Sequence, residues 1–148
     1  MTTQEKNKNT TAKKIIKLVG VPLSGATGRR KKAVARAWAR RGNGKIVVNG
    51  LNYDQYFDTD TMKIAASKAL SVCPVARNYD FQINVFGGGK TGQSDAVKLA
   101  IARTLVQMDE NLRSLLRQER LLTVDSRTKE RKKYGQRGAR RKFQFVKR

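Results

Sequence analysis

The chain has 148 residues, enough for one domain of ordinary size and not comfortably enough for two. Its 33 Lys and Arg against 11 Asp and Glu give a formal net charge of +22, which makes a polyanion the expected partner. Histidine is absent and Cys73 is the single cysteine, so zinc, haem and disulfide scaffolds are excluded, no cofactor is expected and most acid–base enzymes become implausible.

The charge is unevenly placed. Residues 1–41 hold 12 basic and 1 acidic side chains, residues 42–126 hold 10 and 9, and residues 127–148 hold 11 and 1. This predicts a basic N-terminal extension at 1–26 without order of its own, a globular part at 27–126, and a basic tail at 127–148. The tail needs a bound polyanion to offset the entropy of ordering it. Met1–Val19 lacks a continuous apolar segment of signal-peptide length, and no run approaches the roughly 20 apolar residues of a bilayer span. Neither export nor a membrane partner is expected.

In chain order, Arg29-Arg30-Lys31-Lys32 leads into Lys32–Arg40, where Ala33, Ala35, Ala37 and Ala39 alternate with Val34, Arg36, Trp38 and Arg40. Period two predicts a strand, against alanine's own preference for helix. Gly42-Asn43-Gly44 before Ile46-Val47-Val48 reads as a turn that brings this second run back as the hairpin partner of the first. Asp58-Thr59-Asp60 offers N-caps to a helix whose Met62, Ala65, Ala66, Ala69, Leu70 and Cys73 share one face, and Pro74 ends it. Cys73 is then a small core residue. Phe81, Ile83 and Val85 predict a half-buried strand over 80–86, followed by a glycine loop over 87–92. Two helices complete the body, one presenting Val97, Ala100, Ile101, Leu105 and Met108, the other spanning 111–122 with Leu112, Leu115, Leu116 and Leu122. The fold class is α+β, a small two-layer sandwich with helices on one face of a sheet.

Gly89-Lys90-Thr91 between a strand and a helix has part of the wording of a nucleotide-binding P-loop, but that pattern requires glycine at position 84, which is Asn84. No later strand ends in an aspartate placed for magnesium. What survives is a loop whose glycines permit close approach and whose Lys90 can meet a phosphate. In the tail, arginine forks suit phosphate oxygens, glycines let the chain follow a narrow path, and Tyr134, Phe143 and Phe145 can stack on bases. No stretch has base-reading side chains at groove spacing, which disfavours sequence-specific duplex DNA binding.

Five blocks in order resemble the family of the ninth protein of the small ribosomal subunit, in its bacterial-type form. They are Gly28-Arg29-Arg30-Lys31 with Ala33-Val34-Ala35-Arg36, Gly42–Asn49, Gln55-Tyr56-Phe57, Gly87–Gln93 with Ala96, and Glu130–Gly135 with Ala139-Arg140-Arg141. The resemblance covers residues 27–148. It implies a fold similar to the second domain of ribosomal protein S-five, with a left-handed βαβ crossover. It also implies a structural rather than enzymatic role in the head of the small subunit, beside neighbouring head proteins, in a bacterial cytoplasm or an organelle. Carried over residue by residue, it assigns small-subunit rRNA contacts to Arg29, Arg30, Lys31, Lys32, Arg36, Lys90, Gln93, Arg131, Lys132, Lys133, Tyr134, Arg137, Arg140, Arg141 and Lys142. Contacts to the anticodon stem-loop of peptidyl-site tRNA fall to Lys147 and Arg148. Val146 stands where the family usually has serine, Thr104 where a small residue or leucine is preferred, and Val124 where arginine is common. Charge alone also fits a free-standing RNA chaperone or another nucleic-acid-binding protein.

Overall fold

The computed structural model describes residue 16, residue 18 and residues 20–144. Strand β1 (Ser24–Arg30) turns at Lys31-Lys32 into β2 (Ala33–Arg41), and β3 (Ile46–Val48) turns at Asn49-Gly50 into β4 (Leu51–Asn52). One turn of helix, α1 (Tyr53–Tyr56), precedes α2 (Asp60–Val72), and a 3-10 turn over Pro74–Asn78 leads into β5 (Tyr79–Phe86). Helices α3 (Lys90–Met108) and α4 (Leu112–Gln118) follow. The sheet order is β1-β2-β5-β3-β4. The α+β class expected from the sequence is what the chain adopts.

The alternating alanines are the helix-facing positions of β2. Ala33, Ala35, Ala37 and Ala39 are fully buried and share one sheet face with Phe81, Ile83 and Val85 of β5 and with Ile46 and Val48 of β3. Together with Ala66, Ala69 and Leu70 of α2 and Ala96, Val97, Ala100, Ile101 and Leu105 of α3 they form one core. The small side chains let α3 lie close to the sheet. The closest approach is at Gly28, where an added Cβ would collide with the Ala96 carbonyl oxygen and lie 2.5 Å from the Ala100 nitrogen.

The hairpin expected between β2 and β3 is not formed. β5 lies between them, antiparallel to β2 from Val34↔Phe86 to Arg41↔Tyr79 and parallel to β3 from Ile46↔Phe81 to Val48↔Ile83. Residues 42–45 arch over the start of β5 and wrap Asp80, whose Oδ1 accepts from the amides of Asn43 and Lys45 at 2.8 Å each. The two-residue hairpin turn is Asn49-Gly50, with φ of +49° and +81°, the left-handed pair that such a turn demands. The partner of β2 in a hairpin is β1. That strand begins at Ser24, three residues inside the stretch expected to lack order, and its sequence SGATGRR has almost no β-branched or apolar content to announce it.

Helix α2 agrees with expectation, with Thr59 at the N-cap and buried Cys73 at the C-cap. Helix α3 starts earlier than expected and takes Lys90, Thr91 and Gly92 out of the glycine loop. The last helix is shorter than 111–122. Arg120 enters the left-handed region at φ +53°, its amide donates to Arg117 O at 3.0 Å, and the Leu121 amide donates to Leu116 O at 2.9 Å. This paired closure seals the helix end and puts Leu121 and Leu116 together in the core, leaving Leu115 on the surface.

Candidate nucleic-acid interface

The glycine loop is seated against the β1–β2 turn. Gly87 and Gly88 have φ of +71° and +60°, and a Cβ on Gly87 would lie 2.5 Å from Lys32 O, one on Gly88 2.9 Å from the Ala33 nitrogen. Behind the loop runs a polar frame. Asn49 donates through Nδ2 to Val85 O at 2.9 Å and accepts from the Val85 amide at 2.8 Å, so its side chain continues the ladder where β3 stops. The Tyr56 hydroxyl donates to Gln93 Oε1 at 2.9 Å, and Gln93 Nε2 donates to Gly87 O at 3.1 Å. Lys90 Nζ donates to Tyr56 O at 2.7 Å and stands 3.8 Å from the centroid of the Tyr56 ring. Lys90 and Gln93, both expected at the RNA, have internal partners that fix this loop. Tyr56 is the hub that sequence reasoning missed; its signal was the Gln55-Tyr56-Phe57 block.

The other expected residues of the body fall into two places. Arg29, opposite Val34, and Arg36, between Thr27 and Asn84, are exposed on the sheet face turned away from the helices. Lys31 and Lys32 are exposed in the β1–β2 turn, Lys31 at φ +53°. With Arg30, Gly88, Gly89, Gly92, Thr128, Lys129 and Glu130 they line a cavity of about 570 Å³. The amino end of α3 borders this cavity, and its N-cap, Gly89, brings no side chain to the unpaired amides of the first turn. Both basic ends of the sequence thus meet at one concave, cationic place. Lys129 was missed as a member because nothing local in the sequence ties residue 129 to residues 31 and 32.

Arg30 differs from its neighbours. Its side chain is only 12 % exposed and points inward, with Nη2 2.8 Å from Asp125 Oδ2 and Nε 3.8 Å from Asp95 Oδ2. Its Nη1 donates to Asp125 O at 3.2 Å and to Arg127 O at 2.6 Å. The Asp125 carboxyl is held well below the usual carboxylate range, first by hydrogen bonds from the Arg127 side chain and amide, with the charges of Arg127 and Arg30 adding.

The tail has more form than a cationic thread would. Arg140 Nε and Nη2 donate to the two oxygens of Glu130 at 2.8 and 2.6 Å, which lowers the Glu130 pKa through those hydrogen bonds. The amide of Arg137 donates to Arg141 O at 2.8 Å, and Gln136 pairs with Lys142 in an isolated bridge. A closed loop results, with Arg131, Lys132, Lys133, Arg137, Arg141 and Lys142 exposed and Tyr134 95 % exposed. The expectation that only a bound polyanion gives the tail order is corrected in part, because Arg127 and Arg140 find carboxylates within the chain, at Asp125 and Glu130. Phe145, Val146, Lys147 and Arg148 lie outside the described residues, as do most of residues 1–19. Among the described residues there is no cluster of metal-ligating side chains and no helix long and apolar enough to cross a membrane.

Comparison with known proteins adds an independent line. The family described as ribosomal protein S9/S16 matches residues 28–148. Small ribosomal subunit protein uS9 of Cytophaga hutchinsonii is 50 % identical over 123 residues, covering 83 % of this chain and 96 % of that one. The protein of the same name from Chlorobaculum tepidum is 54 % identical over 121 residues, covering 82 % and 94 %. That from Desulfosudis oleivorans is 46 % identical over 123 residues, covering 83 % and 95 %.

Proposed function

The chain belongs to the ribosomal protein S9/S16 family, and we propose on that footing that it is a structural constituent of the head of a bacterial-type small ribosomal subunit. It holds 16S-type rRNA by its phosphates and reaches peptidyl-site tRNA with the end of its tail. It works by charge and shape, without catalysis of its own. The observation that supports this reading best is the meeting of Lys31 and Lys32 with Lys129 around the open amino end of α3, which gathers positive charge from both ends of the chain into one concave site. Such a site suits the phosphates of an RNA backbone.

In this reading Arg29, Lys31, Lys32 and Arg36 contact rRNA from the body. Arg131, Lys132, Lys133, Arg137, Arg141 and Lys142 contact it from the tail loop, where Tyr134 stands free to stack on an unpaired base. Lys90, Gln93 and Arg140 hold the frame that presents them. Lys147 and Arg148 carry the tRNA contact. The test is filter binding of the full chain to small-subunit rRNA across a salt series. With roughly ten phosphates engaged, log K falls against log salt with a slope of about −7 to −9. Replacing Lys31, Lys32 and Lys129 together by Gln reduces that slope by about 2 to 3. A salt-independent affinity overturns the reading.

A further inference from the structure

Resting on the RNA-binding reading above, we propose that Arg30 is the positioning residue of the C-terminal tail: its guanidinium clasps Asp125 and the backbone of residues 125–127 and sets the direction in which the tail leaves the body. Four observations carry this. Arg30 ends β1, paired opposite Ala33, so the clasp starts from a rigid element. Its fork is used inward, on one carboxylate oxygen and two backbone carbonyls, with Asp95 of α3 steadying it from the side. Among the described residues, the hydrogen bonds between the body and residues 123–129 all come from this side chain. The Arg127 to Asp125 pair lies within the tail root and cannot tie it to the body.

The carboxylates make the same point. A protein of net charge +22 that grips phosphates loses affinity wherever it places an anion among its cations, yet Asp95, Asp125 and Glu130 all lie beside the basic turn. Each is occupied by an internal arginine or lysine, Asp95 by Lys98 at 3.0 Å and Glu130 by Arg140. Their work is to give the tail root a fixed shape. Because the clasp reads a carboxylate and two carbonyls at once, it needs a planar fork. Lysine brings the charge to this place without the geometry.

The experiment uses the full chain in a Cys73→Ala background, with nitroxides on Ser71→Cys of α2 and Tyr134→Cys of the tail, and measures the distance distribution by pulsed electron resonance. A single narrow distribution is expected for the parent. Arg30→Gln and Asp125→Asn each at least double its width, their combination adds little more, and Arg30→Lys resembles Arg30→Gln. Asp125 lies on the exposed tail root, so Asp125→Asn keeps the test open if Arg30→Gln fails to fold. In parallel, Arg30→Gln binds rRNA roughly three- to tenfold more weakly with an unchanged salt slope, because preorganisation rather than a phosphate contact is lost. A broad distribution in the parent, or an unaltered width in both variants, overturns the clasp. So does a salt slope reduced by about 0.7 to 0.9, the signature of one lost phosphate contact, although RNA binding itself would then stand. Absence of rRNA binding in the parent overturns the functional reading instead, and the distance measurement still decides the clasp.

Discussion

Replacing Gly28 by alanine tests the packing on which the whole body depends. The added methyl carbon would be in collision with Ala96 O, 2.5 Å from the Ala100 nitrogen and 3.1 Å from the Ala100 Cα, all backbone atoms of a 19-residue helix. No side chain can swing aside, so α3 must retreat by about 1 Å to restore ordinary contact distances. A gap of that size forfeits a quarter to a half of each dispersion contact along the interface. Overpacking of this kind costs about 1–3 kcal/mol and sometimes more, and the absence of a flexible neighbour puts Gly28→Ala at about 3 kcal/mol. For a body of roughly 100 residues that lowers the melting temperature by about 12 to 24 °C. Thermal and urea unfolding followed by circular dichroism reads the loss. Gly89→Ala, whose Cβ meets nothing within 4 Å, is the internal control, and Gly25→Ala, whose Cβ would lie 2.8 Å from the Trp38 side chain and 3.2 Å from Ala37 O, falls between the two. If Gly28→Ala melts within a couple of degrees of the parent, the sheet-to-helix distance is not set by that glycine.

Lys31→Gly relieves a left-handed lysine and raises body stability by about 0.5–1 kcal/mol, offset in part by the looser unfolded chain, while it weakens rRNA binding and flattens its salt slope. A melt and a salt series on the same protein separate the two effects, and a lower melting temperature would contradict the strain. The tail loop responds to pH in a set direction. The Asp125 and Glu130 carboxyls are lowered by their arginines, so their contribution is complete above the unpaired carboxylate range near pH 4 and is lost as pH falls through the depressed values. Amide NMR shifts of residues 125–142 therefore stay constant from pH 7 to 5 and change only under stronger acid; a transition near pH 6 would count against these pairs. Removing Lys147 and Arg148 leaves subunit assembly intact and weakens peptidyl-site tRNA binding, as measured on purified reconstituted subunits. Equal tRNA affinity in the truncated subunits rules out that role.

Local patterns carried the elements whose buried faces repeat regularly. The alternation in β2 and β5 and the stripes of α2 and α3 could be read directly, because burial imposes period two or 3.6 on apolar side chains. β1 escaped because its core positions must stay small under α3, which erases the apolar signal. The β2–β3 pairing failed for a different reason. Neighbouring strands along the chain usually pair, and nothing local reveals that Tyr79–Phe86 is inserted between them. Apart from Lys129, the basic residues of the site were visible, but their jobs were not. Whether an arginine faces RNA or its own chain depends on carboxylates far away in sequence, as Arg30 with Asp95 and Asp125 shows, or ten positions along, as Glu130 with Arg140 shows.

The insertion of β5 has a bearing on how the protein is made. During synthesis β2 and β3 are made before residues 79–86, the strand with which each of them pairs on its inner side, so neither has that partner when it emerges. The nascent chain therefore carries two unfilled hydrogen-bonding edges until its second half appears, and α3 cannot cover the alanine row until residue 108 has been added. Sheet closure waits on translation of the later segment, whatever the earlier strands prefer, and for that interval the growing polypeptide exposes the unpaired edges and apolar surface that make folding intermediates prone to aggregate.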